Sequence, residues 1–300
     1  PMPPAPAQHL RPTLVDEPRP TTFDVDAVNE RGETVPTAIA GEHPLTLYLD
    51  KRELVTLMTL GAAPAHLALG YLRNQRILAG IDEVAAVQVD WETDSVAITS
   101  RSLADRGVTI WDDAERSEAL NERLGRRTVT TGCGQGTVFG DLMDELDRIA
   151  LPAGRQLTEE TLYTVMERVR RHESIYKVAG AVHGCALCSN AGDDRGEILR
   201  FVEDVGRHNA VDAIAGWMWL EGVAGDDKIF YTTGRLTSEM VIKCAQMGIP
   251  FLLSRSGLTQ MGWDIARRIG ITMIGRCQGR HYLLFTGRER FVRLPVTDFA

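Results

Sequence analysis

From Lys228 onward the chain alternates short apolar runs with amphipathic stretches, and that alternation narrows the fold more than any other feature. Ile229-Phe230-Tyr231-Thr232-Thr233, Pro250-Phe251-Leu252-Leu253-Ser254 and Ile271-Thr272-Met273-Ile274-Gly275 read as strands, whereas Glu239 to Met247 and Gln260 to Ile269 have helical spacing. This β-α-β-α-β order predicts parallel strands joined by right-handed crossovers. In such a sheet, ligands collect at the carboxyl ends of the strands, where loops meet helix starts. Here those ends repeat one chemistry: Gly234-Arg235-Leu236-Thr237-Ser238, Ser254-Arg255-Ser256-Gly257-Leu258-Thr259 and Gly275-Arg276-Cys277-Gln278-Gly279-Arg280. Arginine forks suit phosphate oxygens, and backbone N–H groups at a helix start favour an anion. One such loop would be an ordinary solvated one with a capping hydroxyl; three together predict a polyphosphate or nucleotide site that includes Arg235, Arg255, Ser256 and Arg276.

Upstream the pattern is a smaller α+β one. Pro44 to Leu49 and Leu54 to Met58 predict two strands around the polar turn Asp50-Lys51-Arg52-Glu53, and Leu67, Tyr71 and Leu72 fall at helical intervals within Pro64 to Arg73. Ala86 to Trp91 and Ser95 to Thr99 alternate like strands, and Ser102 to Arg127 reads as a helix or connector. A further helix is expected from Thr158, whose hydroxyl can cap Glu160 or Thr161, with Leu162, Val165, Met166 and Val169 on one face; it leads into the apolar run Ile175 to Val182. The expected division is a disordered Pro-rich tail over 1–22, an N-terminal α+β subdomain over 23–127 and an α/β domain over 128–300.

A formal net charge of −8 excludes a general nucleic-acid binder, which would need clustered Lys and Arg to neutralise phosphates. The opening Pro1-Met2-Pro3-Pro4-Ala5-Pro6-Ala7-Gln8 has neither the charged lead nor the apolar core of a signal peptide, and no apolar run approaches the roughly 20 residues a membrane helix needs. Five cysteines, Cys133, Cys185, Cys188, Cys244 and Cys277, are an odd and sparse set that fits a reducing cytoplasm.

The densest polar segment is Glu203-Asp204-Val205-Gly206-Arg207-His208-Asn209-Ala210-Val211-Asp212. Asp204 is expected to cap a helix that buries Val211, Ile214, Ala215 and Met218, leaving Arg207, His208 and Asn209 on the opening turn as ligand contacts. Asp204 and Asp212 each stand four residues from His208, so either carboxylate could orient the imidazole and keep it protonated.

The cysteines admit several readings. Cys133 sits in Thr130-Thr131-Gly132-Cys133-Gly134-Gln135-Gly136-Thr137, where the glycines permit positive φ and bring backbone N–H groups near the thiol; this suits a mobile, acidified nucleophile and equally a tight turn with a packed cysteine. His183-Gly184-Cys185-Ala186-Leu187-Cys188 has zinc-ligand types, but supplies three ligands with no second pair following; a redox pair or a buried strand end is the other possibility.

Taken together these residues resemble the FdhD/NarQ family of formate dehydrogenase accessory sulfurtransferases. The resemblance is carried by Glu42-His43-Pro44-Leu45, Leu67 to Leu72, the loop at Cys133, Ala179-Gly180-Ala181-Val182-His183 and, above all, the segment Glu203 to Asp212. Gly234 to Glu239, Lys243, Gly248-Ile249-Pro250, Ser254-Arg255-Ser256 and Gly275-Arg276 follow in order. It implies a three-layer α/β/α domain similar to cytidine deaminases, a homodimer, and sulfur delivery. In that scheme a cysteine desulfurase loads persulfide sulfur onto Cys133, which passes it to the molybdenum of bis-molybdopterin guanine dinucleotide for formate dehydrogenase. Ile274, Gly275, Arg276, Cys277, Gln278 and Gly279 match the family's cofactor-binding stretch, for which a guanine nucleotide is a partial mimic, and no resident metal is expected.

One departure stands out. The family's mobile loop commonly carries CxxC, and here the second position is Gly136. Cys133 is therefore expected either to work alone or with help from Cys185 or Cys188. Two rival expectations are a zinc-dependent nucleotide deaminase or hydrolase using His183, Cys185 and Cys188, although it lacks the HxE and PCxxC such enzymes need, and a non-catalytic molybdenum-cofactor chaperone.

Overall fold

A computed structural model describes residues 11–125, 146 and 149–294. In chain order its strands are β1 (Thr13–Val15), β2 (Thr22–Val28), β3 (Thr34–Ala40), β4 (His43–Leu49), β5 (Arg52–Thr59), β6 (Val84–Asp90), β7 (Ser95–Ser100), β8 (Leu157–Thr158), β9 (His183–Ser189), β10 (Ile198–Asp204), β11 (Lys228–Thr232), β12 (Phe251–Ser254), β13 (Thr272–Gln278), β14 (His281–Leu284) and β15 (Phe291–Val292). The helices are α1 (Pro64–Asn74), α2 (Arg101–Arg106), α3 (Ala114–Gly125), α4 (Glu159–Arg171), α5 (Ile175–Ala179), α6 (Arg207–Glu221), α7 (Ser238–Gln246) and α8 (Gln260–Ile269). Among these residues no helix is long and apolar enough to cross a membrane.

The chain divides into two compact units, and neither is continuous in sequence. The first comprises Pro1–Asp141, Glu173–Gly184 and Val202–Val223. Its five-stranded sheet runs β1-β6-β7-β4-β5. The predicted hairpin is present, but its turn is only Asp50-Lys51, both left-handed at φ 48° and 69°, so the strand resumes at Arg52 rather than Leu54. Such a turn matches the twist of the flanking strands. β1 lies inside the stretch expected as a disordered tail: Thr13, Leu14 and Val15 pair in parallel with Ala86, Val87 and Gln88. The antiparallel ribbon of β2 and β3 was also unanticipated. Its turn is set by the Asn29 side chain, whose Oδ1 accepts from the N–H groups of Arg31 and Glu33.

Helices α1 and α6 pack so closely that glycine is required at the crossing. A Cβ on Gly70 would stand 1.6 Å from the carbonyl oxygen of Asp212, and one on Gly216 would stand 1.9 Å from that of His66. Burial leaves Arg73 donating to the Ala215 carbonyl at 2.9 Å and holds its guanidinium down at about 10. Asn74 donates to Asp212 at 2.7 Å.

The second unit comprises Leu142–His172, Cys185–Phe201 and Ala224–Ala300, and its six-stranded sheet runs β10-β9-β11-β12-β13-β14. β11, β12 and β13 are parallel, as the alternation predicted; β9 and β14 close the parallel set as antiparallel neighbours. The Thr158 hydroxyl caps α4 by accepting from Thr161 N–H at 3.1 Å. Leu162, Val165 and Met166 of that helix cover one face of the sheet, where Ala186, Cys188, Ile229, Tyr231, Phe251, Leu253 and Ile274 lie. Residues of the opposite parity, Leu187, Phe230, Leu252 and Met273, are equally buried. Because β11, β12 and β13 are laid down in sequential order, right-handed crossovers bring α7 and α8 to this second face. The result is an α/β/α arrangement of three layers.

Candidate functional site

The three arginine-bearing loops leave the sheet side by side, laced together by backbone hydrogen bonds and by the fully buried Ser254 hydroxyl. Thr232 Oγ1 accepts from Gly234 N–H at 3.0 Å, while its carbonyl accepts from Arg255 N–H at 3.0 Å. Ser254 Oγ donates to the Gly234 carbonyl at 2.6 Å and accepts from Ser256 N–H at 2.9 Å. The Ser256 carbonyl in turn accepts from Arg276 N–H at 2.9 Å, and Leu236 bonds to both Gly257 and Thr259 through the backbone. A loop tied at this many points cannot drift, so its side chains are presented at fixed positions.

Between the second and third loops lies a cleft of about 340 Å³ lined by Arg255, Ser256, Gly257, Arg276, Gln278 and His281. Two exposed guanidinium groups face it, and no carboxylate is among its lining residues. Arg276 takes a left-handed backbone, φ 55°, at a bulge between Gly275 and Gln278. Bulges re-aim a side chain in this way, here at an energetic cost for a residue with a Cβ. Gly275 lets the neighbouring segments close up: a Cβ there would stand 3.0 Å from the Phe285 ring and 3.2 Å from the Ser256 carbonyl oxygen. The chemistry of the cleft is that of an anion receptor for phosphate or carboxylate oxygens.

Four of the sequence-predicted residues, Arg255, Ser256, Arg276 and Gln278, thus come together. Arg235 is exposed at the end of β11 without lining the cleft, and Gly279 sits in the β13–β14 turn at φ 63°. Ile274 and Cys277 point into the core instead. Cys277 lies 3.7 Å from the Ile274 carbonyl, and burial pushes its thiol up to about 12. His281 was missed. Its signal was the two-residue turn Gly279-Arg280, which pairs it with Gln278 across the hairpin.

The segment from Glu203 to Asp212 belongs to the first unit, and there its polar groups are buried. Arg207, His208, Asn209 and Asp212 are 6, 4, 5 and 3% exposed, so the expected separation between a buried face and a reaching polar turn does not hold. Nor does Asp204 cap α6, whose N-cap is Gly206. Its carboxylate accepts from Thr59 Oγ1 at 2.5 Å, Leu60 N–H at 3.1 Å, Gly206 N–H at 2.9 Å and Asn209 Nδ2 at 2.9 Å. Four donors thus converge on it. Burial pushes this carboxyl up despite the four bonds that oppose the shift. Glu203 accepts from Ile175 N–H at 2.6 Å and Tyr176 N–H at 3.1 Å, which ties down the start of α5. Arg207 and His208 do not line the cleft.

Cys133 and its glycines lie outside the described residues. Cys185 and Cys188 form no chelating pair. On a strand, side chains three apart leave opposite faces. Cys188 accordingly packs with Ala186 against α4, while Cys185 contacts Thr232 Oγ1 at 3.4 Å on the other face. Both are fully buried, and desolvation lifts the Cys188 thiol to about 12. Among the described residues no group of three or more His, Cys, Asp or Glu is placed to hold a metal ion. The geometry of this pair removes the basis of the zinc-hydrolase expectation.

Comparison with known proteins agrees with the fold. A putative formate dehydrogenase accessory protein from Desulfotalea psychrophila superposes with a TM-score of 0.69 at 23% identity, covering 91% of this chain and all of that one. The sulfur carrier protein FdhD of Listeria innocua serovar 6a is 28% identical over 261 residues, which are 86% of this chain and 93% of the relative. That of Bacillus subtilis is 26% identical over 264 residues, 87% of this chain and 94% of the relative. The model of the FdhD/NarQ family matches residues 40–292, which include every strand of both sheets except β1; this chain belongs to the FdhD/NarQ family.

Proposed function

We propose that this chain is a cytoplasmic sulfurtransferase serving formate dehydrogenase, with Cys133 as the persulfide carrier and the arginine cleft as the site that holds its cargo. Family membership and the relatives described as sulfur carriers support the carrier role. The observation that carries the binding role is the convergence of Arg255, Ser256, Arg276, Gln278 and His281 on one preformed cleft. In the proposed cycle the Cys133 thiolate attacks the outer sulfur of a cysteine desulfurase persulfide. The sulfur–sulfur bond of the desulfurase breaks, its thiolate leaves, and Cys133 retains the sulfane sulfur. The acceptor is the molybdenum of bis-molybdopterin guanine dinucleotide. Its linked phosphates match the two guanidinium groups, and the stitched backbone of the loops keeps those groups oriented without reorganisation on binding.

Incubation with a cysteine desulfurase and cysteine, followed by mass spectrometry, tests the carrier role: the chain should gain one sulfur atom on Cys133, and Cys133→Ala should gain none there and lose the ability to activate formate dehydrogenase. Undiminished activation by Cys133→Ala would overturn the proposal. Guanosine diphosphate titrated into Arg255→Ala and Arg276→Ala tests the cleft; each should lose about 10-fold to 100-fold in affinity, the range for a charge-assisted contact.

A further inference from the structure

Arg255 and Ser256 of the cleft lining are held through their backbone N–H groups by Thr232 and Ser254, whereas Gln278 and His281 of the lining flank the tip of the β13–β14 hairpin. Gln278 pairs with His281 there, both line the cleft, and only Gly279 and Arg280 separate them. What holds this tip lies behind the sheet. Tyr282 points away from the cleft, and its hydroxyl donates to Glu159 Oε1 in the first turn of α4 at 2.5 Å. Tyr163, one helical turn further on, places its hydroxyl 3.3 Å from the same oxygen and 3.4 Å from the Arg280 carbonyl. The Arg280 guanidinium lies over the Tyr163 ring, 4.7 Å from its centre. Glu159 Oε2 accepts from Leu294 N–H at 2.9 Å. The carboxylate is 8% exposed and does not line the cleft.

We infer that Glu159 is a positioning residue for the cleft: by holding the Tyr282 hydroxyl against α4, next to the Gly279-Arg280 turn, it fixes Gln278 and His281 in the cleft lining, so that a phosphate-bearing nucleotide meets preformed contacts. Successive residues on a strand leave opposite faces, so anchoring the Tyr282 phenol on one face sets the direction of the His281 imidazole on the other. A two-residue tip without this anchor would have to be ordered on binding, and that ordering would be subtracted from the affinity. The charge of Glu159 matters because its two oxygens serve donors from two separate segments, Tyr282 Oη at Oε1 and Leu294 N–H at Oε2, and a neutral amide would turn an NH2 group toward one of them.

The inference rests on the reading of the cleft as the nucleotide site, and calorimetric titration of the full chain with guanosine diphosphate separates the two. Glu159→Gln should weaken binding about tenfold, equivalent to losing one well-formed charge-assisted contact. Tyr282→Phe, which keeps the ring and its packing, should weaken it several-fold. The decisive comparison is the combined variant: in a Gln278→Ala/His281→Ala background, Glu159→Gln should cost nothing further, because the groups it positions are gone. An equal loss in both backgrounds, or wild-type affinity in both Glu159→Gln and Tyr282→Phe, would overturn the inference while Arg255→Ala and Arg276→Ala still lose affinity. Absence of binding by the wild-type chain, or undiminished binding by the two arginine variants, would overturn the cleft reading and the inference with it.

Discussion

Arg255, Ser256, Arg276 and Gln278 were legible in the sequence because strand-end position is a property of chain order, and charge is visible in the residue name. The residues that fix them were not legible. Thr232 and Ser254 look like ordinary strand termini; only three-dimensional adjacency turns the Thr232 carbonyl and the Ser254 hydroxyl into ties between loops. Glu159 and Tyr282 are 123 residues apart and show no motif. The polar run around His208 misled in the opposite direction, since dense polar residues on one helix start suggest solvent and ligand, whereas here Asp204 and Asn209 satisfy buried backbone and hydroxyl groups. The same contrast governs the thiols. Cys185, Cys188, Cys244 and Cys277 are all buried, and desolvation lifts Cys188 and Cys277 to about 12 and Cys244 well above the ordinary value. Brief alkylation of the native chain should therefore leave these four unmodified, while alkylation in denaturant reaches them all, as peptide mapping would show. Native modification of Cys185 or Cys188 would restore the possibility that this pair assists Cys133.

Elements built on strong periodicity emerged within a residue or two of their predicted bounds, α8 among them, because its capping Thr259 and terminal Gly270 mark both ends. β1 and the ribbon of β2 and β3 did not emerge. β1 has three residues and owes its existence to pairing with β6, and a ribbon exposed on both faces carries no one-sided apolar alternation. Helix α6 was located but misjudged, for it is enclosed almost all round and so has no polar face to read. Its contact with α1 yields a sharp test. Gly70→Ala places a methyl group into the Asp212 carbonyl, which rigid backbone cannot yield without separating the helices. The expected loss is about 3 kcal/mol or more, at the upper end for overpacking, measured by denaturant unfolding. Gly107→Ala, which meets no atom within 4 Å but sits at φ 67°, should cost only about 1 kcal/mol of backbone strain.

At the scale of the whole molecule the two units are interleaved: the chain passes from one to the other after Asp141, His172, Gly184, Phe201 and Val223. Composition gives no hint of this, which is why a single boundary near residue 127 was expected. A fragment ending at Asp141 keeps all five strands of the first sheet but lacks α6, leaving the glycine face of α1 uncovered. Such a fragment should show no cooperative thermal transition by circular dichroism; a sharp melt would mean that the first sheet suffices by itself. The interleaving also imposes a schedule on synthesis. Asn74 waits 138 residues for Asp212, an interval on the order of ten seconds at ordinary rates of translation. Throughout that interval α1 has β6 and β7 to pack on but not α6, so its glycine face leaves the ribosome uncovered, and chaperone protection of that face during synthesis follows from the order in which this chain is threaded.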